Sequence, residues 1–160
     1  QRRIYAMLRE QASHWESHMT IASILQGHTG PVFTITAQAT VREAAAELAG
    51  KRIGALPVVE GQRVVGIFSE RDVIYGLARD GHAFLDRSVG ETMTSAVISV
   101  TADTAIMAAL SLMTKRRIRH LPVTEGERLT GFVSIGDLVK HRIEKIEAEA
   151  SAMRDYIQMA

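Results

Sequence analysis

Apolar and polar positions along the chain follow one pattern, and it occurs twice. Val32 to Thr36 and Val97 to Thr101 are short β-rich runs and predict strands. Alanine-rich segments follow, predicting helices over Val41 to Gly50 and Ala105 to Arg116. Thr40 is placed to cap the first, and Asp103 or Thr104 the second. Leu56-Pro-Val-Val59 and Leu121-Pro-Val-Thr124 then read as strands with a proline near the start. Glu60-Gly-Gln-Arg63 and Glu125-Gly-Glu-Arg128 read as hairpin turns whose glycines can take positive φ. Val64 to Phe68 and Leu129 to Val133 are the returning strands. Ser69 and Ser134 end them and are placed to cap the helices that follow.

Each unit is therefore β-α-β-β-α and roughly sixty residues long. The two copies align without a gap at an offset of 65 residues. Between Arg52–Asp72 and Arg117–Asp137, eleven of twenty-one positions are identical, far beyond chance. One such unit has a thin core on its own. Two related by a pseudo-twofold would bury their sheet faces against each other, which is a structural reason for the tandem. The expected fold class is α+β, with two repeats, small sheets packed with helices and a long C-terminal helix.

The ends of the chain carry separate patterns. From Ile135 the sequence reads as one long helix, and Val139, Ile143, Ile146, Ala150, Met153 and Ile157 recur at spacings of four and three. Glu144, Lys145, Glu147, Glu149 and Arg154 flank that stripe. It serves either a contact between two copies or packing on the chain's own domain, and the homodimer is the favoured reading. At the other end, Ser17-His18-Met19 reads as a cloning junction ahead of a start at Met19 or Thr20. A native amphipathic helix carrying Ile4, Met7 and Leu8 is the alternative, and both stay open. The expected organisation is an extension or tag over 1–19, repeats over 20–85 and 86–142, and the C-terminal helix over 143–160.

Composition narrows the function classes. Hydrophobic residues make up 46% of the 160, enough for a packed core. Formal net charge is +1, so nothing global calls for nucleic acid or an anionic membrane, and any anion site is local. Without cysteine there is no disulfide, thiolate nucleophile or cysteine zinc site. Apolar runs fall far short of a membrane span, and a cytoplasmic location is the simplest expectation. No nucleophile–base pair, metal cluster or phosphate loop of the Gly-x-x-x-x-Gly-Lys type is present, so an enzyme is not expected. Four Phe, three Tyr and one Trp do not alternate with basic residues as a nucleic-acid stacking platform would.

The chemistry that remains lies at two corners, Gly66-Ile-Phe-Ser69-Glu-Arg-Asp72 and Gly131-Phe-Val-Ser134-Ile-Gly-Asp137. Serine followed three residues later by aspartate puts both at a helix N-terminus, where amides and a partial positive charge suit a phosphate. An aspartate there can accept hydrogen bonds from the two ribose hydroxyls of a nucleotide. The plainer reading of Ser-x-x-Asp is a capping motif. Arg71 and Arg119 are candidate phosphate clamps, with Lys115, Arg116 and Arg117 nearby in sequence. For the last three, a solvated helix end is the simpler account.

These corners, preceded by Leu-Pro-Val and a glycine-bearing hairpin, resemble the cystathionine-β-synthase (CBS) domain. The resemblance covers about Ile24 to Arg142, and the whole is similar to a stand-alone Bateman module. It implies two clefts between the repeats that bind adenosyl compounds. AMP is the first expectation, with ADP, ATP, NAD and S-adenosylmethionine as alternatives and no catalytic cofactor. One cleft is then expected to use Asp137 on the ribose, Ser134 near the phosphate, and His120, against a wall of Thr40, Ala44, Ile53 and Gly54. The other would use Ser69, Asp72 and Ala55, faced by Ile118 and Arg119. The clefts are chemically unequal. Arg119 and His120 replace Gly54 and Ala55, and Ile135-Gly136 replaces Glu70-Arg71. Gly136 leaves room for a ligand, whereas Glu70 would repel phosphate, so the Ser134 and Asp137 site is the better nucleotide site. A protein target would read the bound state. A ligand-independent interaction scaffold is the rival.

Overall fold

The computed structural model describes residues 19–27 and 30–159, so the expectations for the N-terminal extension lie outside the described residues. Helix α1 spans Ile21–Gly27, strand β1 Ile35–Thr36 and helix α2 Val41–Lys51. The hairpin β2–β3 covers Ala55–Glu60 and Arg63–Ser69, and helix α3 covers Glu70–Asp80. A 3-10 turn over Gly81–Asp86 and the short helix α4, Val89–Thr92, connect the repeats. The second copy supplies α5 (Ile106–Arg116), β4 (His120–Glu125), β5 (Arg128–Ser134) and the long helix α6 (Ile135–Met159). The architecture is the expected α+β one.

The described chain forms two compact units that cut across sequence order. One gathers Gly30–Ser99 and Pro122–Phe132. Its β1 runs parallel to β2, pairing Ile35 with Val58, and β2 runs antiparallel to β3 with a bulge at Val58/Val59. Arg63 of β3 pairs with Arg128 of β5, giving the sheet order β1-β2-β3-β5-β4. Gly61 and Gly126 turn the hairpins at φ of 62° and 60°, the left-handed region that glycine enters without steric cost. Val41, Ala44 and Leu48 of α2 share one core with Leu56, Val58, Phe68, Phe84 and Val89. Close approach explains two glycines: a Cβ on Gly76 would lie 2.1 Å from the Phe84 ring, and one on Gly66 2.2 Å from Met93 Sδ.

The other unit gathers 19–27 with Val100–Leu121 and 133–159. Helix α1 is tied there by its backbone, with Ile21 N donating to Thr104 O and Ala22 N to Ala102 O, both at 2.9 Å. Ile106 N donates to Met19 O at 2.9 Å, and Ser23 Oγ lies 3.2 Å from His141 Nε2. Ile21, Ile24, Ile106, Ala109, Met113 and Leu138 are buried.

Three local expectations are corrected. The first strand is two residues long rather than Val32 to Thr36. Pro57, next to the paired Val58 in β2, brings no N–H, which removes a donor where the ladder stops. Val97 to Thr101 forms no strand beyond a single bridge at Val100. There Thr101 N donates to Thr104 Oγ1 at 3.2 Å and the chain turns toward α5. Neither Asp103 nor Thr104 caps α5. The N-cap is Ala105, held extended by its bridge to Thr20, and it has no side-chain cap bond.

Candidate functional site

Each Ser-x-x-Asp corner is built at the junction of a returning strand and the next helix. At the second, Asp137 Oδ2 accepts from both Ser134 N and Ser134 Oγ at 2.7 Å. Asp137 N donates back to Ser134 Oγ at 3.2 Å. At the first, Asp72 Oδ2 accepts from Ser69 N and Ser69 Oγ, again at 2.7 Å. Both corners are therefore capping boxes. The same device starts α2, where Thr40 N and Thr40 Oγ1 donate to Glu43 Oε2 at 2.7 and 2.9 Å. The amide and then the hydroxyl of Thr40 hold the Glu43 carboxyl below its ordinary range. The box alone does not mark a ligand site.

The corner is also locked to the preceding strand. Ile135 N donates to Arg119 O at 2.8 Å, and its counterpart Glu70 N donates to Gly54 O at 3.1 Å. Upstream, Ile118 N donates to Met113 O at 3.0 Å and Ile53 N to Leu48 O at 3.1 Å. The fold thus places Ile118, Arg119, His120, Ser134, Gly136 and Asp137 in one unit, with the backbones of Arg119 and Ile135 bonded directly. It places Ile53, Gly54, Ala55, Ser69, Arg71 and Asp72 together in the other unit in the same arrangement.

Accessibility separates these residues. Arg119, Gly136 and Arg71 are exposed, while His120, Ser134, Asp137, Ser69 and Asp72 are half-buried. Ala44 is fully buried in the core with Leu48, Leu56 and Phe68, and Ala55 is buried too, so neither methyl lies on an open wall. The Thr40 hydroxyl is engaged in its cap. The helix start at Ser134 offers less to a phosphate than the sequence suggests. Of the first four amides, those of Ser134, Ile135 and Asp137 are already bonded within the protein. The fourth belongs to Gly136, where an added Cβ would meet nothing closer than Ser134 Oγ at 3.5 Å. Lys115 and Arg116 are exposed in the last turn of α5, where they complement its dipole.

Two features escaped the sequence reading. Arg52 and Arg117 end α2 and α5 in the left-handed conformation, at φ of 55° and 54°. No residue-type signal announces this, because glycine is the usual occupant. A shallow groove of about 700 Å3 lies beside α2, lined among others by Thr34, Thr36, Gln38, Glu43 and Glu47. None of its lining residues is among the sequence candidates. Among the described residues, no group of three His, Asp or Glu side chains could hold a metal ion, and no helix is long and apolar enough to cross a membrane.

Comparison with known proteins identifies the family. The CBS domain family model matches residues 21–79 and 89–144. The chain is 33% identical over 159 residues to the CBS domain-containing protein CBSX3, mitochondrial, of Arabidopsis thaliana, covering 94% of this chain and 77% of that protein. The crystal structure of the CBS-domain containing protein ATU1752 from Agrobacterium tumefaciens matches with a TM-score of 0.74 at 36% identity, over 77% of this chain and 98% of that one. The CBS domain pair of protein MJ0100, solved in complex with 5′-methylthioadenosine and S-adenosyl-L-methionine, matches at 0.70 and 26% identity, over 79% and 97%. The chain belongs to the CBS-domain family and carries the domain twice.

Proposed function

We propose that this chain is a non-catalytic regulatory module that binds an adenosyl compound, AMP first, chiefly through Asp137, Ser134, Gly136, His120 and Arg119. The observation that carries the reading is the difference between two corners with the same backbone. One presents Arg119, His120 and Gly136, and the other presents Gly54, Ala55 and Arg71 at the same positions. A phosphate gains from the guanidinium and from the uncrowded glycine. A carboxylate has about four lone-pair sites, so capping through Oδ2 is compatible with accepting from ribose hydroxyls. One clamp arginine suits a mononucleotide better than a triphosphate. A second reading, an S-adenosylmethionine sensor, is favoured by the ligands of the MJ0100 complex. Self-association through the exposed apolar positions of α6 belongs to the same proposal.

The duplication supplies its own control. Asp72→Ala and Asp137→Ala lose equivalent caps and should each cost about 1 kcal/mol of stability. In calorimetric titrations with AMP, ADP, ATP, NAD and S-adenosylmethionine, only Asp137→Ala should lose tenfold or more in affinity. Equal affinities in wild type and both variants would sink the site assignment. Binding of no adenosyl compound would leave the scaffold reading, and turnover of ATP or NAD would overturn the non-catalytic one.

A further inference from the structure

The unpartnered face of α6 carries more information than its apolarity. The first half of the helix is held on one side. Leu138 is buried, His141 meets Ser23, and Arg142 Nη1 lies 3.3 Å from Met19 Sδ. Val139, Ile143, Ile146, Met153 and Ile157 are 42%, 50%, 47%, 66% and 67% exposed, and Ala150 is exposed with them. At 3.6 residues per turn this stripe lies roughly 110° around the helix from the Leu138 face. It is therefore not a continuation of the packed side. Beyond Lys145, every residue of known exposure through Ile157 is exposed. A solitary helical segment of that length is marginal in water without a partner.

Spacings of four and three make the stripe a heptad seam, with Ile143, Ala150 and Ile157 at a, and Val139, Ile146 and Met153 at d. The flanking charges then choose the partner's direction. Arg142 and Glu149 fall at g, and Lys140, Glu147 and Arg154 at e. In a parallel pair each g faces the following e of the other helix. That sets Arg142 against Glu147 and Glu149 against Arg154, opposite signs in both cases. An antiparallel pair sets e against e and g against g. Glu147 and Glu149 would then meet their own copies, and Lys140 would meet Arg154. We infer that α6 pairs with α6 of a second copy of this chain as a parallel, in-register coiled coil. This rests on the self-association proposed above and adds its orientation and register.

The chain has no cysteine, so single-cysteine variants report distances without background. Ile146→Cys and Met153→Cys sit about 10 Å apart along the axis. In the full chain under a glutathione redox buffer, each variant should form a disulfide-linked dimer by itself. Sedimentation should show the Glu149→Arg and Arg154→Glu variants dissociating roughly tenfold more readily, with the double variant restored. Failure of Met153→Cys to cross-link by itself, while it cross-links when mixed with Ile146→Cys, would mean an antiparallel pair, overturning the orientation while the dimer stands. A dimer that cross-links neither alone nor mixed would place the interface elsewhere and overturn the pairing. A monomeric wild type at tens of micromolar, still binding its adenosyl ligand, would overturn the pairing and the self-association together.

Discussion

Asp72 and Asp137 accept the same two bonds from the serine that starts each helix, so the caps alone do not mark either as a ligand site. What differs is the neighbour that each helix-start amide fastens in place, Gly54 in one corner and Arg119 in the other. The capping role could be read from Ser-x-x-Asp spacing alone. That most first-turn amides are already bonded could not, because the acceptor for Ile135 N lies sixteen residues upstream. Arg52 and Arg117 were equally illegible. A side chain in the left-handed region costs about 1–2 kcal/mol, and the chain passes through it where Ile53 N and Ile118 N turn back to donate to Leu48 O and Met113 O. Arg117→Gly should therefore raise stability by about 0.5–1 kcal/mol, seen as a higher midpoint in urea with unchanged slope. A lower midpoint would mean that the Arg117 side chain makes a contact worth more than the strain.

Helices and hairpins were largely legible as elements, since the 3.6-residue period, the caps and the glycine turns all agree. The first strand of each repeat was not. Its β-branched residues favour extended chain, but strand length depends on what the neighbour can pair with. Packing between elements also explains the connection after α3. Phe84 is buried in the 3-10 turn because Gly76 lets its ring lie against the helix backbone. Gly76→Ala should cost about 1–3 kcal/mol by overpacking against that ring. Gly66→Ala, whose obstacle is the flexible side chain of the half-buried Met93, should cost less. Thermal unfolding of the two variants compares them, and the reverse order would show that the Phe84 ring yields more easily than Met93.

At the scale of the molecule, sequence order and spatial order part company. Helix α1 opens the first repeat along the chain, yet its backbone is bonded to Ala102 and Thr104 of the second and it packs on α6. Ile21→Ala should cost about 2–5 kcal/mol. Amide exchange should quicken in Ile106–Arg116 and leave Val41–Lys51 nearly unchanged. Equal acceleration in both helices would refute that separation of effects. The sequence by itself determined the duplication, the main helices and hairpins, the two capped corners and the unequal residues around them, because these rest on local spacing and on comparing the chain with itself. Only the tertiary structure decided which segments share a core, which amides remain available at the corners and where strands end. It also decided that the α6 stripe faces outward. Each of those depends on partners distant in sequence, which no local pattern encodes.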